Sequence, residues 1–331
     1  MSARRDGMSR RTAFAFGLGA LLGLAFWSVA TERVGAVRHV AEAADLIEAN
    51  AYYAARVDWP AARREAYRAA VLDPSARGRA VGRLLIALND GHSQYRTAEE
   101  ARQLARRGRQ NQVPEPRRVG AHGVVAIGGY SGFDRGIQRE YATEGQRRIA
   151  AVARDGACGW VVDLRHNLGG NMWPMLGSLG PLLGDGVVGY FIDRRGVRVG
   201  WSVAGGAVKA GEDTLYTIAT PERLAALPPV AVLTSGNTAS SGEAVTIAFR
   251  ARPDTRSFGA PTSGLSTANG SFPLADGALL LIARSLMADR SGTAYGSTVH
   301  PDQPVARGVD RRLDAPLAAA LAWLDGHPAC R

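Results

Sequence analysis

From residue 119 onward, short apolar runs alternate with amphipathic stretches, and that alternation restricts the chain to a sheet covered by helices. Residues 124–127, 159–164 and 230–234 are too short for helices and apolar throughout, as expected of strands buried on both faces. Helical spacing fills 134–154, 171–183, about 240–250 and about 314–324, and a further strand is expected at 278–282. Residues 187–192 and 197–203, joined by Asp193-Arg194-Arg195-Gly196, read as a β-hairpin.

Ahead of this α/β region the chain is helical. Residues 32–72 are rich in Ala, Arg, Glu and Leu, with Asp58-Trp59-Pro60 as a cap and first turn, and a third helix at 76–88 is stopped by Asn89-Asp90-Gly91. The expected organisation is a helical subdomain at 31–95, a surface linker at 96–118 ending in Pro114-Glu115-Pro116, and a core at 119–331 with a hairpin cap at about 186–228. In front lie a basic segment, 1–12, carrying Arg4, Arg5, Arg10 and Arg11, and an apolar run, 13–30, about long enough to cross a bilayer. Basic residues before that run place the N-terminus in the cytoplasm and the body outside, periplasmic or extracellular. The expectation is a single-pass protein of the cytoplasmic membrane, with 13–30 as transmembrane anchor or, given Ser28-Val29-Ala30, a signal sequence.

The formal charge is +10, yet the basic residues are scattered, with no glycine-rich phosphate loop and no basic and aromatic stripe, so no nucleic-acid partner is expected. Almost all of the cations are arginine; the one lysine is Lys209. His39, His122, His166, His300 and His327 show no metal spacing, and no metal or cofactor is expected. Cys158 and Cys330 have two readings, one disulfide in an oxidising compartment or two unrelated buried thiols.

Two segments carry chemistry. In Val230-Ala-Val-Leu-Thr-Ser-Gly-Asn-Thr-Ala-Ser-Ser-Gly-Glu243 a buried strand runs through small and hydroxyl residues into a helix. A serine at such a turn is presented at the sheet edge, beside free N–H groups of the helix start that can hold an oxyanion. By geometry Ser240 and Ser241 both qualify, and an N-cap cluster is the plainer alternative. In Trp160-Val-Val-Asp-Leu-Arg-His-Asn-Leu-Gly-Gly-Asn-Met-Trp-Pro174 a strand delivers Asp163 and Arg165, read as an ion pair that fixes the turn, and Gly169-Gly170 lets backbone approach a ligand.

Together these segments resemble the carboxy-terminal processing, or tail-specific, serine proteases. The family strand Asp-Leu-Arg-x-Asn-x-Gly-Gly is matched by Asp163 to Gly170, and the nucleophile segment Ser/Thr-Ala-Ser-x-Ser/Gly-Glu by Thr238 to Glu243. Further likeness runs through Gly259-Ala-Pro-Thr-Ser-Gly264 and Asp276-Gly277 to Pro301-Asp302, so that it covers about residues 119–305. In that pattern the serine after the alanine is the nucleophile, which selects Ser240. Many members carry a lysine base where this chain has Leu265, and Lys209 does not match that place. In the lysine-lacking branch, which includes tricorn-type and nisin-resistance-type peptidases, a histidine after the helical region is the base; Asp90-Gly91-His92-Ser93 resembles that site, and Gly169-Gly-Asn-Met-Trp-Pro174 most resembles the nisin-resistance group.

The resemblance implies a crotonase-like (ClpP/crotonase) α/β core with an N-terminal helical subdomain and a β-hairpin cap, preceded by the transmembrane helix. It implies a serine endopeptidase cutting peptides or proteins, including near their C-terminus, through a Ser240 acyl-enzyme with His92 as general base. The N–H groups of Ser241 and of Gly169 or Gly170 would form the oxyanion hole. Asn171, Met172, Trp173, Thr238 and Ala239 would bind substrate, and Glu243, Ser93 or Asp90 would orient His92. The 92–119 gap is too short for the PDZ domain that many members insert, so the core cleft itself must recognise the peptide. The rival readings are a catalytically silent peptide- or ligand-binding protein of the same fold and an esterase with the same machinery.

Overall fold

The computed structural model describes the backbone of residues 10–106, 111–306 and 314–331, and the side chains of 30–104, 111–306 and 314–331. Three helices, α1 (Arg10–Asn50), α2 (Trp59–Leu72) and α3 (Arg77–Leu88), form the helical subdomain. The Asp58 carboxylate accepts the Ala61 N–H at 3.0 Å and starts α2, while α3 stops where Asn89 turns left-handed, φ 49°. Their shared core is built of small residues, Ala43, Ala44, Ala66, Ala70 and Ala80, filled in by Val40, Ile47 and Leu84.

The chain then continues through β1 (Gln94–Arg96), α4 (Ala98–Arg106), β2 (Arg117–Val119), β3 (His122–Ala126), α5 (Arg135–Arg154), β4 (Gly159–Asp163), α6 (Met172–Ser178) and α7 (Gly180–Leu183). Next come β5 (Gly186–Asp193), β6 (Arg198–Ala204), β7 (Ala207–Ala210), β8 (Asp213–Thr217), β9 (Val230–Thr234) and α8 (Ser241–Ala248). The last elements are β10 (Thr255–Gly259), β11 (Thr267–Pro273), β12 (Leu279–Asp289), β13 (Gln303–Pro304) and α9 (Ala315–Asp325).

Among the described residues the strands make two sheets. One runs β13-β10-β9-β4-β3-β2 and is parallel except for β2. Its central strands are apolar throughout because both faces are covered: Trp160 and Val162 of β4 pack with α5, α6 and α8, and Val161 packs under Ala320 and Leu324 of α9. The other sheet is antiparallel, β1-β12-β5-β6-β7-β8, with β11 also on β12. Leu280 and Ile282 of β12 join the core of the helical subdomain, which docks that subdomain onto the sheet.

The α/β core stands, and two expectations need correcting. The apolar stretch is not set off as an element of its own: α1 runs without a break from it into its charged continuation, Arg33, Arg38, Glu42 and Asp45, and among the described residues no helix is long and apolar enough to cross a membrane. The side chains of 13–29, and residues 1–9 of the basic segment, lie outside the described residues. The cap is not a lone hairpin, because β5 pairs with β12 over Gly189–Asp193 and β5 to β8 form a four-stranded continuation of the antiparallel sheet. The 96–118 linker contains the amphipathic helix α4.

Candidate active site

Three loops converge at the C-terminal end of β4 and β9. The first follows β9. Thr238 Oγ1 accepts the Ser235 N–H (3.0 Å) and donates to the Leu164 carbonyl (2.9 Å), and Ser235 Oγ donates to the Arg165 carbonyl (2.6 Å). The Ala239 N–H donates to the Asn167 carbonyl (3.0 Å), so the turn into α8 is stitched to the turn after β4. At its apex Ser240 has φ 51° and ψ −113°, a region disfavoured for any side chain, at a cost of about 1–3 kcal/mol. Such a sharp turn lifts the hydroxyl out of the strand-to-helix path.

Glu243 holds that apex. It is fully buried, and its carboxylate accepts the N–H groups of Ser240 (2.8 Å), Leu265 (2.8 Å) and Gly264 (2.9 Å) and the Thr262 hydroxyl (2.6 Å). Burial pushes the carboxyl up, while these four donors favour its charged form. Leu265, where a lysine was sought, therefore serves through its backbone.

The second loop is the turn after β4. Arg165 pairs with Asp163 (2.6 Å) and with Asp314 ahead of α9 (2.6 Å), which fixes its base. Asn167, fully buried, accepts the Gly169 N–H on its Oδ1 at 2.9 Å. Gly169 and Gly170 have φ 102° and 113°. A Cβ on Gly169 would lie 2.9 Å from Ser240 Cβ, and one on Gly170 would lie 1.9 Å from the Tyr130 carbonyl oxygen. Only glycine fits there. The Ser241 hydroxyl donates to the Gly170 carbonyl (2.5 Å). The N–H groups of Gly170 and Ser241 have no hydrogen-bond partner among the described residues, whereas that of Gly169 is taken.

The third loop carries His92 between α3 and β1. Asp90 Oδ1 accepts the N–H groups of His92 (3.0 Å) and Ser93 (2.8 Å), and Ser93 Oγ accepts the Ala283 N–H of β12 (2.9 Å). With β1 paired to β12, the loop is pinned on the antiparallel sheet. His92 is 4% exposed; Nε2 lies 3.0 Å from Ser240 Oγ and Nδ1 lies 2.7 Å from Thr267 Oγ1. Burial pushes the imidazole below its ordinary value, against the nearby Asp90 carboxylate.

A buried imidazole between a strained serine hydroxyl and a threonine, with two free N–H groups beside the serine, is equipped for acyl transfer. Residues 123–305, over half of the chain, match the model of peptidase family S41. The chain belongs to peptidase family S41. It is therefore a serine peptidase. The chain is 32% identical over 166 residues to the nisin-resistance protein of Lactococcus lactis subsp. lactis, a match covering 50% of this chain and 49% of that protein. It thus spans about half the length of the curated relative. A lipoprotein from Streptococcus agalactiae is similar in structure, 25% identical, with a TM-score of 0.70 over 88% of this chain and 96% of that one. The photosystem II D1 C-terminal processing protease shares the fold at 15% identity, with a TM-score of 0.58 over 89% and 98%.

Within this S41 site, several of the expected side chains are engaged with backbone. Among the described residues none of Glu243, Ser93 and Asp90 hydrogen-bonds to the His92 ring; each holds backbone, and Asp90 reaches the ring only as a nearby charge. Thr238 is fully buried with its hydroxyl committed to backbone, while Met172 and Ala239 are 5% and 7% exposed, about as little as His92 itself. Asn171 caps α6 through the Trp173 N–H (3.1 Å), and Trp173, half-buried, packs edge-on against Phe191. Lys209 sits on β7, three strands from β12. Thr267 and Asn167 went unrecognised. Asn167 had a local signal, an Asn two residues before a glycine that must turn; Thr267 had none.

Proposed function

We propose that this serine peptidase works through Ser240 as nucleophile and His92 as general base, with an oxyanion hole made by the N–H groups of Gly170 and Ser241. The observation that carries this reading is the 3.0 Å contact between Ser240 Oγ and His92 Nε2 at a strained turn. Thr267 Oγ1, accepting the Nδ1–H, leaves the Nε2 lone pair facing the hydroxyl. His92 takes the Ser240 proton as Oγ attacks a peptide carbonyl carbon, and the charge on the carbonyl oxygen is held by the two N–H groups. His92 then hands the proton to the departing amine, leaving an acyl-enzyme that water hydrolyses by the reverse relay.

The substrate class we infer is peptides, of which peptide antibiotics of the nisin kind are one candidate, supported by the nisin-resistance relative; cleavage near a C-terminus is the corresponding candidate from the processing proteases. The Cys158–Cys330 disulfide supports work in an oxidising compartment outside the cytoplasm. A fluorophosphonate probe followed by peptide mapping tests the assignment. The label belongs on Ser240, blocked by prior acidification; an unlabelled folded protein would favour the silent binding protein, and a label elsewhere would overturn the nucleophile.

A further inference from the structure

At the opposite end of the parallel sheet from Ser240, two sulfurs and an imidazole converge. His122 opens β3, Cys158 immediately precedes β4, and Cys330 lies in the short turn Pro328–Cys330 that follows α9. The cysteines are joined as a disulfide. His122 is 2% exposed, with Nδ1 at 3.5 Å from Cys158 Sγ and 3.8 Å from Cys330 Sγ. Its other nitrogen, Nε2, meets Asp325 Oδ1 at 2.8 Å.

A disulfide staple needs none of this: bonded sulfurs are weak acceptors, and a buried imidazole anchored by a carboxylate adds little to them. We propose that the reduced cluster is a metal site, in which Cys158 Sγ, Cys330 Sγ and His122 Nδ1 bind one zinc-class divalent cation. With Zn–S about 2.3 Å and Zn–N about 2.0–2.1 Å, the sulfur-to-nitrogen edge of a tetrahedron is about 3.6 Å and its sulfur-to-sulfur edge about 3.8 Å; in the disulfide form both sulfurs already stand near the first distance from Nδ1, and reduction must let them part from 2.11 Å to the second. Asp325 accepts the Nε2–H, which fixes the tautomer with its lone pair on the sulfur side, the arrangement that metal-ligating histidines use. The half-buried sulfurs leave the fourth position to water. The balance is simple. A dithiol reductant supplies two electrons and two protons, becoming a disulfide as Cys158 and Cys330 become thiols; the cation then displaces both thiol protons to solvent. Either redox state would thus tie the end of the chain to the start of β4.

The test uses the full chain, reduced with dithiothreitol, freed of it under nitrogen and titrated with Co²⁺. The expected result is one Co²⁺ per chain with a thiolate charge-transfer band that Zn²⁺ removes, and no band from the disulfide form. His122→Ala and His122→Asn should bind at least about ten-fold more weakly. Asp325 is 70% exposed, and Asp325→Ala removes the Nε2–H acceptor that an asparagine oxygen could still supply, so its affinity should drop about 10–100-fold. A reduced wild type without the band overturns the site; wild-type affinity in the Asp325 variant, or in a folded His122 variant, reduces it to two thiols and overturns it equally.

Discussion

Thr267 Oγ1 stands 2.7 Å from His92 Nδ1 across a sequence separation of 175 residues, and it is the only side-chain atom among the described residues that holds the far nitrogen of the ring. A threonine fixes orientation without adding charge, so the imidazolium formed in the reaction has no carboxylate hydrogen-bonded to its far nitrogen, and Asp90 acts on it only as a nearby charge. Thr267→Val keeps the shape of the side chain and removes the hydrogen bond. A neutral hydrogen bond is worth about 1.5 kcal/mol at most, which converts to a roughly ten-fold lower kcat. KM should stay near wild type, and Thr267→Ser should restore most of the rate. A Thr267→Val enzyme with unchanged kcat would show that the ring is oriented by its loop alone.

The pH profile follows from burial. An unperturbed imidazole titrates near 6.5, and burial of His92 lowers this, with Asp90 opposing. Only the neutral ring accepts the Ser240 proton, so kcat/KM should be flat through neutrality and fall with a midpoint below pH 6.5. The linkage has the same sign: the unfolded chain takes up the proton first, so stability is full above pH 6.5 and is lost as pH falls through the lowered folded value. His39, likewise lowered by burial, adds to that loss. An activity midpoint above 6.5 would contradict the burial of the base. His92→Ala should lose about two to four orders of magnitude in turnover and the acid limb together.

Much of this site is legible in the amino-acid sequence because its pieces are local. The run from Val230 to Glu243 announces a strand, a sharp turn and a helix in a few residues, and the Asp163–Gly170 turn carries its own glycines. What escapes depends on pairing at long range. The apolar pattern of β5 and β6 shows two strands but not that β5 lies on β12, and nothing near Thr267 announces a histidine in another subdomain. Glu243 is visible, but only the fold shows that its four donors include the Leu265 N–H, so that it builds the turn and leaves the ring to Thr267. The apolar run at 13–30 suggests a separate span because composition cannot show that one helix continues to Asn50.

Ser240 and Ser241 separate by role. Ser240→Ala should lose at least roughly three orders of magnitude in kcat while the protein melts as before, since a hydroxyl that attacks has no substitute. Ser241→Ala keeps the backbone N–H but frees the Gly170 carbonyl from its 2.5 Å hydrogen bond. One lost hydrogen bond of about 1 kcal/mol predicts a decrease of about five-fold. Rates and melting curves for both variants decide it; a dead Ser241→Ala beside an active Ser240→Ala would reverse the assignment.

The disulfide joins residues 172 apart, from the start of β4 to the end of the chain. A closure of that length should contribute about 2–5 kcal/mol, chiefly by restricting the unfolded chain. Cys330→Ser should therefore lower the denaturation midpoint clearly while leaving kcat intact, since Ser240 is at the other end of the strands. Equal midpoints for wild type and variant under oxidising conditions would count against a stabilising bond.

Gly170 offers the sharpest test of the oxyanion hole, because its N–H is free while that of Gly169 is held by Asn167. A Cβ there would come within 1.9 Å of the Tyr130 oxygen at a φ of 113°, so the peptide must rotate and carry its N–H away. Removing one such donor costs about 10²–10³ in kcat. Gly170 is exposed but bridged to the buried Tyr130, so the rotation should also lower the melting temperature, and kcat is read at a temperature where the variant is folded. Substrate affinity in the ground state does not need the N–H, and KM should hold. Burst kinetics with an activated ester would place the defect in acylation. A Gly170→Ala enzyme with wild-type kcat would move the hole to Ser241 alone, and a Gly169→Ala enzyme that loses activity through KM would mark its clash with Ser240 Cβ as the steric one.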